Sequence, residues 1–531
     1  MSNKTFYIST PIYYPSGNLH IGHTYTTFMC DAIARYKRAC GYDVYFLTGT
    51  DEHGQKIQTK ASENNITPQE YVDNMANEII SLWKDLEITN TDFIRTTQPR
   101  HEKVVQDVFS YFLKTGDIYL GEYEGWYCKE CESFFTQTQL VDGKCPDCGR
   151  EVKKETEEAY FFKMSKYSDR LKKFYLEHSD IVTPSSRLKE VFNNFIEVGL
   201  EDLCVSRTSF DWGVKVKENP KHVVYVWLDA LLNYISALGY DTSNDELFKK
   251  YWLNNHEKVH VLGKEITRFH LLYWPVFLMA LNLPLPDKFL VHGWIVMKDG
   301  KMSKSKGNVI YPRPLIEMYG MDMLRYYLLR EIPFCEDGMF TPEQFVERCN
   351  ADLANNYGNL AHRSLSMIKK YFDGVIPPYK GQVNEFDAGL EASVDLTKKM
   401  FFEKMDNYDI TNAIACVFEG IDKTNKYIDD TKPWALAKDE AKKEELASVM
   451  NHLANAIYTF SVLLSPFLTN GAVKILDMLN VPSALRNYEA IKLPFGQLGN
   501  IKIADELTPA YLRLDAKVEI ERMKENIYTR K

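Results

Sequence analysis

The segment 5–36 constrains the fold most strongly, because its pattern changes abruptly from one kind of local structure to another. An apolar run at 6–10 predicts a short buried strand, and the prolines and glycine that follow predict a loop. From position 22 the apolar residues recur at helical spacing. His20 and His23 therefore lie at the N-terminus of a predicted helix, where free N–H groups and the helix dipole attract anions, phosphate above all.

The two histidines are a weak signal by themselves, because histidines at a helix start are more often caps or core residues. A second motif lies far downstream, at Lys301-Met-Ser-Lys-Ser305. A lysine-rich turn is usually a solvated loop, although an ammonium on a flexible stem can also follow a phosphate charge. Neither motif alone decides between a structural role and a phosphate-binding role.

Four of the ten cysteines form two C-x2-C pairs, Cys128 with Cys131 and Cys145 with Cys148. Each pair makes a turn that presents two thiolates, and four thiolates complete the tetrahedral coordination that Zn²⁺ prefers. Two disulfides are the alternative, which a reducing compartment disfavours. We predict one structural Zn²⁺ per chain, because a four-cysteine site has no open position for catalysis.

The composition excludes several classes of protein. The 531 residues suggest three or four domains, and 45% hydrophobic and 26% charged residues are ordinary for a soluble globular chain. The longest apolar run, 271–281, is too short to span a bilayer, and the N-terminus lacks the apolar segment of a signal peptide. We therefore expect a cytoplasmic protein with no membrane partner. The net charge of −9 argues against a protein that coats nucleic acid by charge alone.

Further segments predict a parallel sheet followed by helices. Three apolar segments predict strands: 42–48, 259–263 and 289–293. Asp51 follows the first of these, at the carboxyl end where parallel sheets bind ligands, although an Asp there is as often a turn residue or a cap. Helices are predicted over 66–115 and 314–330 and over almost the whole chain from 350 onward.

Two groups of side chains have both a structural and a functional interpretation. An aromatic stripe at 227–234 has helical spacing and in most proteins is core. Asn359 and Arg363 lie one helical turn apart, and Trp434 lies at a predicted helix start. A polar helix face and a packed indole explain the second group, but these side chains also suit unstacked RNA bases.

The motifs His20-Ile-Gly-His23 and Lys301-Met-Ser-Lys-Ser305 match, in full and in order, the two signatures of class I aminoacyl-tRNA synthetases, which this chain resembles. The cysteine pairs and the segments 225–234 and 359–363 narrow the resemblance to the methionyl-tRNA synthetases, of the bacterial type that carries a zinc knuckle. The resemblance covers about residues 4–480.

The resemblance implies an α/β fold: a Rossmann-type parallel-sheet catalytic domain with an inserted zinc-knuckle domain, followed by an all-α helical-bundle anticodon-binding domain. The expected boundaries are 1–116 and 223–300 for the catalytic domain, 117–222 for the insertion with its knuckle at 128–148, 301–349 for the KMSKS loop and linking segment, and 350–531 for the helical domain. An insertion of this size leaves little room for the editing domain of the leucine, isoleucine and valine enzymes.

The resemblance also assigns the site residues. The catalytic residues would be His20, His23, Lys301 and Lys304. The expected ATP contacts are His20, Gly22, His23, Gly263, His292, Lys301, Ser303 and Lys304. The expected methionine contacts are Ile12, Tyr14, Asp51, Trp227, Ala230, Tyr234, Ile266, Phe269 and His270, with Asp51 holding the substrate ammonium. Glu265 replaces the Asp that many relatives carry, so its role is open, and His53 is assigned no role beyond a structural one.

By the same resemblance, Asn359, Arg363 and Trp434 would read the CAU anticodon. The expected function is activation of L-methionine with ATP to methionyl-adenylate and transfer to the 3′ end of tRNA(Met), with Mg²⁺ accompanying ATP. A monomer is expected, because residues 481–531 do not resemble the appended domain through which some relatives dimerise.

Two rival functions are weighed against this one. A cysteinyl-tRNA synthetase is disfavoured, because its zinc binds the substrate within the catalytic domain, whereas this cysteine cluster is closed and lies in the insertion. A zinc-knuckle RNA-binding protein without catalysis would leave both signature motifs unexplained.

Overall fold

The structure is a computed structural model that describes residues 4–131, 133–135, 137–297, 300–302 and 308–526. The chain forms two compact units. The first unit consists of Met1–Leu19 and Tyr42–Gly293, and the second consists of His20–Gly41 and Trp294–Lys531.

The described strands are numbered in chain order. They are β1 (Thr5–Ser9), β2 (Asp43–Thr50), β3 (Asp92–Arg95), β4 (Ile118–Cys128), β5 (Ser133–Phe135), β6 (Lys153–Phe162), β7 (Val182–Thr183), β8 (Leu203–Cys204), β9 (Ser206–Arg207), β10 (Val223–Val224), β11 (Glu257–Gly263), β12 (Lys288–His292), β13 (Ile295–Met297), β14 (Gly300–Lys301) and β15 (Gly338–Met339).

The described α-helices are numbered in the same way. They are α1 (Ile21–Ala39), α2 (Gln55–Glu63), α3 (Pro68–Asp85), α4 (Pro99–Thr115), α5 (Ser168–Glu177), α6 (Ser185–Val191), α7 (Val226–Leu231), α8 (Asn233–Ser236), α9 (Glu246–Phe248), α10 (Trp274–Ala280), α11 (Pro312–Tyr319), α12 (Met321–Glu331), α13 (Pro342–Arg348), α14 (Asn359–Phe372), α15 (Asp387–Asp406), α16 (Ile410–Thr431), α17 (Pro433–Leu436), α18 (Lys443–Leu464), α19 (Gly471–Met478), α20 (Tyr488–Ile491) and α21 (Ala516–Asn526).

The first unit is built on a six-stranded parallel sheet with the order β3-β2-β1-β11-β12-β7. All but the first residue of β1, β2 and β11 are buried, as expected for a parallel sheet covered on both faces. The strands predicted at 6–10, 42–48, 259–263 and 289–293 are confirmed as β1, β2, β11 and β12.

One prediction for the first unit is wrong. Residues 66–115 were expected to be helical throughout, but β3 (Asp92–Arg95) separates α3 from α4 and pairs parallel with β2. A strand of four residues is too short to show an alternating pattern, and its pairing with β2 cannot be read from local sequence.

A four-stranded antiparallel sheet carries the first cysteine pair. Its order is β5-β4-β6-β8, and β4 pairs with β6 along most of its length, from Ile118↔Phe162 to Tyr127↔Lys153. Cys128 ends β4, so the long hairpin presents the start of the cysteine cluster at its tip.

The second unit is mainly helical. It contains α1 and the helices from α11 onward, and a short sheet with the order β14-β13-β15. Tyr36, near the end of α1, is buried among Phe401, Phe402 and Tyr488, and its hydroxyl donates to Asp406 (2.8 Å). The predicted α/β class and the helical C-terminal part are confirmed.

The single helix predicted over 314–330 is wrong in one respect. Gly320, with a φ of 82°, separates α11 from α12. This left-handed conformation favours glycine and breaks the helical hydrogen-bond pattern, while the apolar spacing continues on both sides of the break. Among the helices that the structure describes, none combines the length and apolar character needed to cross a membrane.

Candidate functional site

The predicted ligand edge of the first unit lies at the carboxyl ends of the parallel strands. The sheet order places β2 and β11 on opposite sides of β1, and ligands bind at such a change of direction. Asp51 follows β2 directly, and its backbone N–H donates to the carbonyl of Tyr13 in the loop after β1 (3.0 Å). Gly263 and His292 end β11 and β12 and are register partners. The structure therefore brings Asp51, Gly263 and His292 to one edge.

Glu265, whose role the sequence leaves open, lies over the end of β11. A Cβ placed on Gly263 would approach the Glu265 carboxylate to 2.5 Å, so the glycine makes room for this side chain. Burial lowers the pKa of His292, while the Glu265 carboxylate and the hydrogen bond to the Gly293 carbonyl (2.7 Å) oppose that shift. Glu265 therefore adds negative charge close to His292.

Aromatic side chains form one wall beside this edge. Trp227 on α7 stacks on Phe269, with ring centroids 3.8 Å apart and an interplanar angle of 9°. His270 meets the same indole edge-on at 6.1 Å. Because Trp227 precedes β11 and Phe269 and His270 follow it, tertiary contact assembles this wall. Stacked aromatic faces suit an apolar, polarizable thioether.

His270 is held as a neutral ring. Its Nδ1–H donates to the carbonyl of Ile266 (3.0 Å), and its Nε2 accepts from the Tyr234 hydroxyl (2.8 Å). Burial lowers the pKa of His270 to about 4, although the hydrogen bond to Ile266 opposes the shift. At neutral pH this ring therefore orients the Tyr234 hydroxyl without adding a charge.

The predicted methionine contacts do not all share one apolar cluster. Four belong to the large core cluster of the first unit: Ile12, Trp227, Tyr234 and Ile266. Ala230 is buried on the same helix as Trp227. Tyr14 instead packs in a small cluster with Ile57 and Tyr71, where the Lys56 ammonium lies 5.9 Å from the centre of its ring.

The residues after Asp51 are held by several buried contacts. The Glu52 carboxylate accepts two hydrogen bonds from Arg95 (2.7 and 3.0 Å) and one from the Thr50 hydroxyl (2.6 Å). The Trp212 indole donates to the Glu52 carbonyl (2.6 Å). These contacts fix the backbone that presents Asp51 at the sheet edge.

A buried carboxylate between two histidines ties this loop to α7. Asp229 lies 2.7 Å from His53 Nδ1 and 2.7 Å from His101 Nε2, and all three residues are almost fully buried. Burial would raise the pKa of Asp229, but the two histidines outweigh it and lower the pKa to about 2. Burial would lower the pKa of His53, but Asp229 and the more distant Glu102 raise it.

The histidine motif caps α1 in the second unit. The His20 Nδ1 accepts from the Gly22 N–H (3.0 Å), and the His23 Nδ1 accepts from the His20 N–H (3.1 Å). In a neutral ring whose Nδ1 accepts, the proton is on Nε2. The two histidines therefore act as helix caps, which is one of the structural roles considered from the sequence. Capping also determines the tautomer, with the proton of each neutral ring on Nε2.

The glycine of the motif is required by packing. A Cβ on Gly22 would lie 2.8 Å from Cε1 of His20, and 3.8 Å from Cε of Met302. The second contact places Met302, the second residue of the second signature, beside the first signature. Ser303, Lys304 and the side chain of Lys301 lie outside the described residues, so their predicted contacts remain predictions.

The four cysteines converge in the first unit. Their sulfur atoms all lie within 4.8 Å of one another, with Cys128 and Cys148 3.5 Å apart and Cys131 and Cys145 3.7 Å apart. A tetrahedron with Zn–S bonds of 2.3 Å has edges of about 3.8 Å. Hydrogen bonds among the thiols lower the pKa of Cys128 and raise the pKa of Cys131 and Cys145, so without a metal a single thiol of the cluster ionises first. The donor set fits a zinc ion.

The predicted RNA-reading residues lie on neighbouring elements of the second unit. Asn359 and Arg363 are both on α14, and Asn359 is exposed. An Arg363 Nη2 lies 3.6 Å from Asp429 near the end of α16. Trp434 follows on α17, where its side chain is 45% exposed. An indole this exposed is available for stacking with a base.

Comparison with known proteins places these features in one family. A family model described as class I tRNA synthetases (M) matches residues 6–157 and 148–365. The chain belongs to the class I tRNA synthetases (M). A model described as the anticodon binding domain of methionyl tRNA ligase matches residues 377–493 of this synthetase. The family and fold class predicted from the motifs are confirmed.

Individual relatives of this synthetase agree. The methionine–tRNA ligase of Bacillus subtilis is 58% identical over 98% of this chain and 80% of that protein. The methionine–tRNA ligase of Listeria monocytogenes is 56% identical over 97% of this chain and 79% of that protein. The crystal structure of Mycobacterium tuberculosis methionyl-tRNA synthetase bound by methionyl-adenylate superposes with a TM-score of 0.91 at 38% identity, covering 96% of this chain and all of that one.

Sequence reasoning missed several residues that shape this synthetase site. Asp229 lies in an apolar helical segment, where a single charge is a signal of a buried partner. Its partners His53 and His101 are 176 and 128 positions away, so no local pattern identifies them. Arg268 is missed for the same reason, because its partner Asp147 is also distant in the sequence.

Proposed function

We propose that this protein is a methionine–tRNA ligase: ATP, L-methionine and tRNA(Met) are converted to AMP, pyrophosphate and methionyl-tRNA(Met). The observation that carries the proposal is the 58% identity to a methionine–tRNA ligase over nearly the whole chain. The structural neighbour that holds methionyl-adenylate supports the first of the two steps.

The chemistry needs no covalent bond to the protein. An oxygen of the methionine carboxylate attacks the α-phosphorus of ATP, and the bond to pyrophosphate breaks. A hydroxyl of the terminal tRNA adenosine then attacks the adenylate carbonyl, releasing AMP. Charge develops on phosphate oxygens in the first step, so the protein acts by positioning and electrostatic stabilisation.

The first signature motif suits the phosphate role. His20 and His23 accept backbone hydrogen bonds at Nδ1 to cap α1, so the neutral rings carry their proton on Nε2, which is the nitrogen that would donate to a phosphate oxygen of bound ATP. The start of α1 adds the positive end of a helix dipole. Lys301 and Lys304 of the second signature would bring ammonium groups to the leaving pyrophosphate, which Mg²⁺ accompanies.

The aromatic wall suits the methionine side chain. Trp227 and Phe269 present stacked apolar faces, and the Tyr234 hydroxyl is oriented by His270. Asp51, at the end of β2, would hold the substrate ammonium at the sheet edge. Ala230 is a small buried residue on α7, three positions after Trp227.

The four-cysteine cluster would hold Zn²⁺, which would stabilise the fold of the knuckle rather than act on the substrate. Metal analysis of the purified chain is expected to give one zinc per chain, and Cys145→Ser is expected to lower that content below 0.1 (about tenfold or more) because a thiolate ligand is lost.

The anticodon of tRNA(Met) is proposed to bind at Asn359, Arg363 and Trp434. The exposed Asn359 amide and the half-buried Arg363 guanidinium can bond base edges, and the exposed Trp434 indole can stack on a base. We further propose a monomeric enzyme that works in the cytoplasm. Light scattering of the purified protein tests the monomer, and subcellular fractionation tests the location.

Amino-acid-dependent exchange of pyrophosphate into ATP tests the proposed function. A panel of the twenty amino acids is offered to the purified chain with Mg²⁺, and methionine alone is expected to support rapid exchange. Exchange that depends on cysteine would select the cysteinyl rival. No exchange with any amino acid would select the RNA-binding protein without catalysis.

A further inference from the structure

Each turn of the cysteine cluster carries an acidic residue that reaches outside the cluster. Glu130 lies between Cys128 and Cys131, and its carboxylate is 2.8 Å from Lys56 at the start of α2. Asp147 lies between Cys145 and Cys148, and its carboxylate is 3.1 Å from Arg268. The cluster is therefore attached at two points to the part of the first unit that holds the proposed methionine pocket.

The attachment through Arg268 is the more enclosed of the two. The Arg268 and Asp147 side chains are 12% and 24% exposed, whereas those of Lys56 and Glu130 are 26% and 37% exposed. An ion pair shielded from water is less screened than one at the surface. We therefore expect the Arg268 contact, rather than the Lys56 contact, to fix the position of the pocket relative to the cysteine cluster.

Arg268 also lies close to aromatic rings of both the cysteine cluster and the aromatic wall. Its guanidinium carbon lies 5.3 Å from the ring of Phe135, which packs with Cys128 and Cys145 in the apolar core of the cluster. It lies 4.8 Å from the ring of Phe269, which stacks on Trp227 in the aromatic wall. A planar guanidinium can pair with a carboxylate and lie against rings at the same time, which an ammonium cannot reproduce.

We infer that Arg268 is a positioning residue that connects the four-cysteine cluster to the methionine pocket, through Asp147 on one side and Phe269 on the other. The cluster then does more than stabilise its own fold: it holds the guanidinium against which Phe269 is set, and Phe269 sets Trp227. This inference rests on the proposed function, because it assigns the aromatic wall to methionine.

The test uses the full chain with zinc bound and compares Asp147→Asn, Arg268→Gln and the double variant. Equilibrium dialysis measures the Kd of methionine without ATP and the Kd of ATP without methionine, and zinc content is measured for each protein. Each single variant is expected to raise the Kd of methionine about tenfold, which is within the usual range of coupling between residues in contact. The Kd of ATP and the zinc content are expected to stay unchanged. The double variant is expected to bind methionine as weakly as each single variant, because either substitution alone already breaks the ion pair between Asp147 and Arg268.

Two further variants keep the result interpretable. Asp142→Asn makes the same chemical change at an exposed position between the cysteine pairs and is expected to bind methionine like the wild type. Arg268→Lys keeps the charge but not the planar group, so it is expected to bind methionine more weakly than the wild type and to fold even if Arg268→Gln does not.

Several results would overturn the inference. They are unchanged methionine binding in the Arg268 variants, weaker binding of ATP in parallel, zinc loss that accompanies the weaker methionine binding, or additive effects of about a hundredfold in the double variant. If the wild type itself does not bind methionine in preference to other amino acids, the proposed function fails. If the wild type binds methionine and Arg268→Gln and Arg268→Lys bind it equally well, only the positioning role fails.

Discussion

At the scale of single residues, the buried pair of His53 and Asp229 matters because it joins the Asp51 loop to α7. The distance between His53 Nδ1 and Asp229 is 2.7 Å, and neither side chain is more than 4% exposed. Asp51 and Trp227 each lie two positions from a member of this pair. The pair therefore fixes two proposed methionine contacts relative to each other.

His53 gives this pair a pH dependence. Its pKa is raised above 6.5 in the folded protein, so its contribution to stability is complete below about pH 6.5 and is lost as the pH rises through the folded pKa. The pKa of Asp229 is lowered to about 2, so its contribution changes only in acid, below about pH 4. Between pH 6 and pH 9, therefore, His53 is the member of this pair whose protonation changes its contribution to stability.

His53→Gln is therefore expected to lower the urea midpoint of unfolding more at pH 6 than at pH 9. Glutamine can still donate to Asp229 but carries no charge, so the loss is largest where His53 is protonated. His178→Gln, at an exposed histidine bonded to its own helix, serves as the control and is expected to show no such difference. Equal losses at both pH values would contradict the charged pair.

Lys304→Ala is expected to slow methionine-dependent pyrophosphate exchange by about 10²–10³, the usual loss for one donor to a transition-state charge. Methionine binding is expected to stay unchanged, because the lysine acts at the phosphates. Steady-state exchange kinetics separate the two effects. A near-normal exchange rate in this variant would rule out the proposed role.

The residues that sequence alone could identify are those whose chemistry lies in a local motif. His20 and His23 are one helical turn apart, and the four cysteines have the spacing of a knuckle, so type and spacing predict their roles. Asp229 and Arg268 could not be identified in this way, because their partners are more than a hundred positions distant. The spacing of the two histidines also does not show which ring nitrogen accepts the backbone hydrogen bond that caps α1.

At the scale of elements, α1 is held in the second unit by a buried ion pair. Arg325 on α12 donates to Asp31 on α1 (2.7 Å) and to the carbonyl of Pro466 (2.8 Å), and the side chains of Arg325 and Asp31 are fully buried. The guanidinium also lies over the ring of Phe28. The helix that begins at the histidine motif is thus fixed to α12 and to the segment after α18.

Arg325→Met is expected to destabilise the protein by about 3–5 kcal/mol, because it leaves the Asp31 carboxylate buried with less compensation. Urea denaturation followed by circular dichroism measures the loss. Arg35→Met removes the other cation paired with Asp31 (2.7 Å), but Arg35 is 24% exposed, so we expect a loss of about 1 kcal/mol. Similar losses in the two variants would contradict the importance of burial.

The two helices proposed to read the anticodon, α14 and α17, give a separate prediction. Trp434→Ala is expected to reduce tRNA charging by about 1–3 kcal/mol in kcat/KM, the contribution of one base stacked on an aromatic ring, and to spare pyrophosphate exchange. Phe386→Ala removes another exposed aromatic side chain of the second unit and is expected to leave both activities unchanged. If Trp434→Ala reduced both activities equally, the anticodon assignment would be wrong.

The boundaries of helices and strands show which parts of the fold the apolar spacing of the sequence can predict. Long amphipathic helices and the buried strands β1, β2 and β11 were predictable because burial imposes a regular spacing. The short strand Asp92–Arg95 and the break at Gly320 were not, since neither changes the local apolar pattern. Parallel pairing decides the first, and a left-handed backbone conformation decides the second.

At the scale of the whole molecule, a chain with a net charge of −9 must bind a polyanion through local contacts rather than through overall attraction. The first unit supplies the proposed methionine pocket, and the second supplies the histidine motif and the proposed anticodon contacts. A single polypeptide with these parts is expected to couple recognition of the amino acid to recognition of the RNA.

Aminoacylation of a tRNA transcript tests this claim most directly. The zinc-containing chain is mixed with ATP, Mg²⁺, radiolabelled methionine and a transcript with a CAU anticodon, and a second transcript differs only in the anticodon. We expect methionine to be attached to the first transcript and at least about tenfold less efficiently to the second. No methionylation of the CAU transcript, or equal methionylation of both, would contradict the account.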